Sequence, residues 1–236
     1  MNRINTNRLI YKKEKKKVYF QKLNFKIKKK NFSLIDLGCA SGGFIDYLNK
    51  IKKNENNYFL GVEKEIFLLK MQTPKKLMKL KNVQLIKRDF TKKNFKIEKK
   101  FDYVTCLGTI NLFNEIESIF RTIFKLCKKN GKIFIYDIFN DDPINIRTSV
   151  NFDNDNNKKW SNHFNCYSQS HVKKICKRIN PKSNILFQEL NFTNIKVKKK
   201  KFPSLNSYTK KIDKKTYFIS PFKQILPFKI LEITNN

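Results

Sequence analysis

With 236 residues the chain can bury one α/β-sized domain with a modest insertion and is too short for two enzyme-sized domains. Its 52 basic and 19 acidic residues give a formal net charge of +33, but the only arginines are Arg3, Arg8, Arg88, Arg121, Arg147 and Arg178, and Asn, Ile and Phe are also abundant. That leaves three readings open, the drift of an A- and T-rich genome, a basic surface for RNA, or acidic substrates or membranes; the odd set of five cysteines, with no C-x-x-C pair, and the lack of an apolar run of about twenty residues exclude a disulfide framework and a spanning helix and point to the cytoplasm.

Residues 1–31 read as a basic N-terminal segment, with Met1 to Lys17 a solvated leader, ahead of one domain over 32–236. Short runs rich in Val, Ile and Phe predict strands at Phe32 to Leu37, Tyr58 to Val62, Val83 to Lys87, Tyr103 to Cys106 and Lys132 to Tyr136. Helices are expected between them at Gly43 to Lys52, Lys64 to Leu80 (broken by Pro74) and Glu115 to Lys128, an alternation that signals a parallel sheet wrapped by helices. An insertion over 138–166 follows, whose Asn- and Asp-rich part, Asp141 to Asn165, reads as a loop or lid. A helix at Gln169 to Ile179 carries Val172, Ile175, Cys176 and Ile179 on one face. A strand at Asn184 to Phe192 comes next, and the closing part, 205–236, holds a hairpin (Ser207 to Ile212 and Thr216 to Ser220, joined at Asp213 and Lys214) and a last strand at Phe228 to Ile233.

Glycine is scarce, so its positions are informative. Gly38, Gly42 and Gly43 lie in the turn after the first strand, Gly61 in the second, Gly108 just past the fourth and Gly131 at the turn into the fifth. Most of them therefore lie near the carboxyl ends of the strands, where a parallel sheet binds ligands.

The segment Leu34-Ile35-Asp36-Leu37-Gly38-Cys39-Ala40-Ser41-Gly42-Gly43-Phe44 resembles motif I of the class I methyltransferases that use S-adenosyl-L-methionine (SAM): an acid, a hydrophobe, then G-x-G/A-x-G. Gly61-Val62-Glu63, Asp89-Phe90 and Phe101 to Gly108 recur in register with that family's second, third and fourth strand ends, and Leu126 to Lys132 is similar to its L-x-P-G-G turn without the proline and one glycine. The resemblance covers Leu34 to Asp137. More loosely, Tyr208-Thr209 through Pro227-Phe228 resembles a bacterial group of methyltransferases encoded near surface-carbohydrate genes.

The resemblance implies a Rossmann-like fold with a seven-stranded sheet in the order 3-2-1-4-5-7-6, strand seven antiparallel and helices on both faces. It also implies SAM as cofactor. Asp36 would lie near its ammonium, with Gly38, Cys39, Ala40 and Gly42 along its methionyl part and ribose. Glu63 would take the ribose hydroxyls, as suits a carboxylate facing two donors, Asp89 the adenine amino group, and Phe90 would cover the ring; Leu107 and Gly108 would face the methyl donor.

For catalysis the candidates are His163, beside Trp160 and Phe164 in the lid, Asp137 at the end of strand five, and Tyr167; His171 reads as a surface residue. No metal cluster is expected. Gly38, Ala40 and Gly43 also nearly satisfy the dinucleotide fingerprint, but Asp36 inside the motif and a third acid at Asp89 favour SAM. The expected reaction is methyl transfer to an oxygen or nitrogen of a small-molecule or carbohydrate-like acceptor. An RNA acceptor is the alternative, because Ala40 to Phe44 also approaches the 2'-O-ribose enzymes while lacking their second Asp after strand four; a non-catalytic SAM-binding subunit is the third reading.

Overall fold

In the computed structural model, which describes residues 18–72, 75–151, 161–162, 165–190, 208–212, 215–219 and 225–236, the apolar runs form a sheet covered on both faces. Ser33–Leu37 (β1) is buried along its whole length, as a central strand of such a sheet must be. It pairs in parallel with Tyr58–Glu63 (β2) on one side and with Phe101–Leu107 (β4) on the other. Val83–Lys87 (β3) extends the β2 side, and Cys127–Asn140 (β5) extends the β4 side. Phe228–Asn235 runs antiparallel between β5 and the strand Asn184–Glu189. With the intervening short strands Ser149–Val150 (β6), Ser161–Asn162 (β7) and Tyr167–Ser168 (β8), these last two become β13 and β9, and the sheet order is β3-β2-β1-β4-β5-β13-β9. Counting main strands only, this is the expected 3-2-1-4-5-7-6, with the seventh antiparallel. The chain winds one way from β1 to β3 and the other way from β4 onward, so the switch point lies between the carboxyl ends of β1 and β4.

Two apolar layers flank the sheet. One holds Ile119, Phe120 and Ile123 of Glu117–Leu126 and Val172, Ile175 and Cys176 of Gln169–Ile179. The other holds Phe44, Ile45 and Leu48 of Gly43–Lys52 together with Tyr19, Phe20 and Leu23 of Val18–Lys26. In chain order the helices are α1 (Val18–Lys26), α2 (Gly43–Lys52), α3 (Ile66–Gln72), α4 (Lys75–Met78), α5 (Glu117–Leu126) and α6 (Gln169–Ile179). The expected helix over 64–80 is represented by α3 and α4, and Pro74 lies outside the described residues.

Helix α1 is absent from the sequence reading, which placed its residues in a basic N-terminal segment. Tyr19, Phe20, Leu23 and Ile27 follow a helical spacing, and all are buried. The last carbonyls of the helix are met by Lys52 of α2, whose Nζ lies 3.4 Å from Asn24 O and 3.0 Å from Ile27 O. Residues 1–17 lie outside the described residues, and the boundary at residue 32 stands as a proposal.

Strand β5 begins earlier than expected. Phe101 pairs with Cys127, but Tyr103 already pairs with Lys132, so the extra residues form a bulge. Asn130, with φ 60°, occupies a left-handed position there, a conformation Asn tolerates better than most residues, and so fills a place where the family pattern carries glycine. Gly131 cannot be replaced so simply: a Cβ would lie 2.7 Å from Cys127 Sγ and 2.9 Å from Lys128 O. Part of the expected lid is also ordered, since Ile146 bridges Cys166, β6 pairs with β7, and β8 pairs with β5. The hairpin appears as Tyr208–Ile212 (β10) with Lys215–Ile219 (β11), joined by Ile225–Leu226 (β12) into a separate small sheet, while Asp213 and Lys214 lie outside the described residues.

At the amino-terminal edge of the sheet, Asp102 gathers four donors: Lys29 Nζ at 2.5 Å, Lys128 Nζ at 3.0 Å, and the amide and hydroxyl of Ser33, each at 2.8 Å. Although burial acts against it, these hydrogen bonds hold its carboxyl well below the ordinary range. Its stabilisation is therefore present above the unfolded carboxylate pKa and is lost as pH falls toward the depressed folded value. Asp102→Asn should lower stability by about 1–3 kcal/mol at neutral pH. In urea titrations the gap between variant and parent should narrow below about pH 4; a gap independent of pH would refute this reading.

Candidate functional site

The turn after β1 is built from three residues with positive φ, Gly38 (71°), Ala40 (50°) and Gly42 (73°). Gly38 and Cys39 donate their amides to Val62 O at 2.9 and 3.1 Å, and Gly42 N donates to Cys39 O at 2.8 Å. Gly38 is also demanded by space, because a Cβ there would sit 2.7 Å from Thr109 Oγ1. The loops after β1 and β4 thus touch. Gly61 gives the loop its floor: a Cβ at that position would strike Leu85 at 2.5 Å and Cys39 Sγ at 2.7 Å.

Glu63 ends β2, and its carboxylate reaches back to the β1 turn, where Oε2 accepts from Ala40 N at 2.9 Å. Oε1 accepts from Glu65 N at 2.9 Å, so each oxygen keeps a lone pair for a further donor. Arg88 N donates to Glu63 O at 2.9 Å, which brings Asp89 to the same strand edge. Asp89 accepts from Thr91 N at 3.0 Å and Thr91 Oγ1 at 2.6 Å, and lies 3.9 Å from Lys64 Nζ. Against its partial burial, these bonds and the lysine keep its carboxyl below the usual pKa. The two acids and the glycine bend are therefore assembled at one end of the sheet. Phe90 is buried in the core with its ring edge-on to Phe113 at 6.0 Å.

Asp36 lies beneath the turn, where Oδ1 accepts from Thr105 Oγ1 at 2.7 Å across the β1–β4 pair. Burial raises its pKa to about 7, assisted by the charge of Glu63 and opposed by the Thr105 hydrogen bond. Burial likewise lifts the Cys39 thiol, so that Cys39 packs as a small apolar group rather than a thiolate. Leu107 is half-buried against the second core layer. Gly108, φ 73°, has nothing among the described residues within 4 Å of where a Cβ would be, so its surroundings there are open. Its amide donates to Tyr136 O at 2.6 Å, fixing it beside the end of β5.

Of the catalytic candidates, Asp137 is buried at that same end, with Oδ1 accepting from Ile138 N at 2.8 Å and Oδ2 from Asn111 N at 3.1 Å. Burial pushes its pKa to about 7 against these hydrogen bonds. The Tyr167 hydroxyl is committed to Phe113 O, which makes it a brace between β8 and the loop after β4. His163 falls outside the described residues, as do Trp160 and Phe164. His171 lies in α6, its amide donating to the N-cap Ser168 Oγ at 3.2 Å.

Sequence reasoning missed Thr105, Thr109, Asn111 and Asn165. Asn165 is fully buried: its amide donates to Asn111 O at 2.9 Å, and its Nδ2 donates to Phe113 O at 3.0 Å and Asn114 Oδ1 at 3.1 Å. It thereby ties the segment after β5 to the loop after β4. No spacing signal joins two residues so far apart in the chain. Among the described residues, no group of His, Cys, Asp and Glu could hold a metal ion, and no helix is long and apolar enough to cross a membrane.

Known proteins give the same picture. The family described as the methyltransferase domain matches residues 28–209. A SAM-dependent methyltransferase from Clostridium acetobutylicum superposes with a TM-score of 0.58 at 15% identity, covering 99% of each chain. Coclaurine N-methyltransferase, solved with N-methylheliamine and SAH, gives 0.58 at 15% identity, covering 73% of this chain, which spans 50% of that protein's length. A match in the Haloferax volcanii complex of the Trm112 methyltransferase activator with a methyltransferase gives 0.60 at 10% identity, covering 92% of this chain and 88% of that one. At these identities the likeness is one of fold. No curated protein matches the chain.

Proposed function

We propose, from the premise that this chain belongs to the methyltransferase-domain family, that it transfers the methyl group of SAM to an oxygen or nitrogen of a small-molecule or carbohydrate-like acceptor. The observation that carries this reading is Glu63, hydrogen-bonded to the turn through Ala40 N and still able to accept from two hydroxyls. The site fits a cationic nucleoside in three further respects. Open space adjoins Gly108, Asp36 and Glu63 are buried acids, and neither has a Lys or Arg within ion-pairing distance among the described residues.

When bound, SAM supplies a methyl group on a cationic sulfur, already a strong electrophile. Glu63 would hold the ribose and Asp89 the adenine edge; Asp36 would bias the pocket toward positive charge, and the glycine turn lets the backbone come close. With that positioning, alignment of donor and acceptor provides much of the rate.

The net charge of +33 supports RNA as a second acceptor class. The described site has the opposite sign: three of its buried groups are the carboxylates of Asp36, Glu63 and Asp137, while the buried Lys229 pairs with Asp141 and Glu189, which favours a small acceptor over a phosphate-bearing one. A cytoplasmic setting is part of the same proposal.

Calorimetric titration with SAM tests the reading. Saturable heat at micromolar ligand is expected, and folded protein that gives none would remove the enzyme and binding-subunit readings together. Gly108→Ala sharpens the test. The added methyl enters open space, so the cost to folding should be only the roughly 1–2 kcal/mol of left-handed strain, while SAM affinity should fall at least about tenfold, since a ligand would occupy that space. Unchanged affinity would place the ligand elsewhere.

A further inference from the structure

The short 3₁₀ turn Ile110–Leu112 after β4 holds a buried acceptor with nothing to accept. Asn111 is 2% exposed, its amide donates to Asp137 Oδ2 at 3.1 Å, and its carbonyl takes Asn165 N at 2.9 Å. Its backbone is thus held from both sides, by β5 and by the segment that follows it. Its side-chain Oδ1 nevertheless has no hydrogen-bond partner among the described residues. Such an orphan costs about 1–3 kcal/mol in a folded protein unless something satisfies it.

Asp137 beside it has no Lys or Arg within ion-pairing distance among the described residues, although the chain carries 52 basic side chains. Lys229, its register partner on β13, is drawn off to Asp141 and Glu189, at 3.1 and 3.5 Å. Neighbouring donors are spent as well, the Tyr167 hydroxyl on Phe113 O and the Asn165 amide on Phe113 O and Asn114 Oδ1. Asn111 Oδ1 therefore waits for a donor, and the Asp137 carboxylate beside it accepts from the Ile138 and Asn111 amides but has no cation among the described residues to balance it. A hydroxyl group could satisfy Asn111 Oδ1 but brings no positive charge. An ammonium group brings up to three donors together with that charge.

We propose that the methyl acceptor is a primary or secondary amine, bound as its ammonium by Asn111 Oδ1 and the Asp137 carboxylate, with Asp137 as the base that takes its proton. The proposal rests on the SAM reading above. In the step, an N–H proton passes from the ammonium to the Asp137 carboxylate, and the freed nitrogen lone pair forms the bond to the methyl carbon. The carbon–sulfur bond breaks with its electron pair going to sulfur, which leaves as a neutral thioether, and the product is the protonated N-methyl amine. A carboxyl lifted by burial toward neutrality is matched to holding that proton in transit.

The full chain with methyl-labelled SAM tests this on two matched probe pairs, 2-phenylethylamine against 2-phenylethanol and hexylamine against 1-hexanol. Label should enter the amines at least about tenfold faster than the alcohols. Asp137→Asn should slow amine labelling by about 100-fold or more, as loss of a general base does. Asn111→Leu, close in size, should raise the amine KM by about tenfold with a smaller change in kcat. Both variants should bind SAM calorimetrically within about twofold of the parent. Preferential labelling of alcohols, SAM-binding protein inert toward both amines, or amine labelling unchanged in Asn111→Leu would each overturn the proposal. A chain that binds no SAM fails one step earlier, at the cofactor reading, and calorimetry separates that result from an amine-inert enzyme.

Discussion

Leu23→Ala is expected to cost about 2–5 kcal/mol of folding stability. Leu23 is fully buried in the layer that also contains Phe44, Leu48 and Phe134, so truncation leaves a cavity between α1 and the sheet rather than an exposed notch. The surroundings give little freedom to collapse. Tyr19 stacks on Tyr136 at 3.9 Å between centroids, Tyr136 stacks on Phe228 at 4.9 Å, and Phe20 meets Phe44 at 5.0 Å. Lys26 adds an ion pair with Glu232 of β13 at 2.6 Å, and Lys132 of β5 reaches the same carboxylate at 2.7 Å. Urea unfolding of the variant measures the cost. A loss below about 1 kcal/mol would show α1 to be peripheral, with the fold beginning near residue 32 as the sequence reading had it.

That helix shows where the sequence was hard to read. The strands β1, β2 and β4 were legible because their apolar runs are short and bounded by polar residues, the pattern of strands buried on both faces. Helices α2 and α6 were legible because the apolar residues on one face contrast with lysines on the other. In α1 the stripe of Tyr19, Phe20, Leu23 and Ile27 has the same period, but it lies between a lysine run on each side and reads as part of a charged segment. The glycine turn at the strand ends was legible for a different reason. Glycine is so scarce here that its positions mark where the backbone turns or is crowded, and Gly38, Gly61 and Gly131 each lack room for a Cβ. Of the proposed acceptor site only Asp137 was named from the sequence, because Asn111 and Asn165 are joined to it only by hydrogen bonds between segments far apart in the chain.

Glu63→Ala should weaken SAM binding by about 1.5–3 kcal/mol, roughly 10- to 150-fold, through loss of charge-assisted hydrogen bonds to two hydroxyls. The carboxylate has a second duty that must be separated from the first. It accepts from Ala40 N and Glu65 N, so its removal also leaves the turn amide at Ala40 without its acceptor. Ala40 already holds a left-handed conformation at φ 50°, and freed of that bond the turn has less to keep it there. Glu63→Gln distinguishes the two duties. The amide keeps one carbonyl oxygen, enough for Ala40 N, but turns the other position into a donor that cannot accept a hydroxyl proton. If Glu63 serves the ligand, Gln should recover most of the melting temperature lost in Ala while recovering little of the SAM affinity. If both variants melt low and bind SAM as the parent does, the carboxylate only props the turn, and the ribose lies against a different strand end.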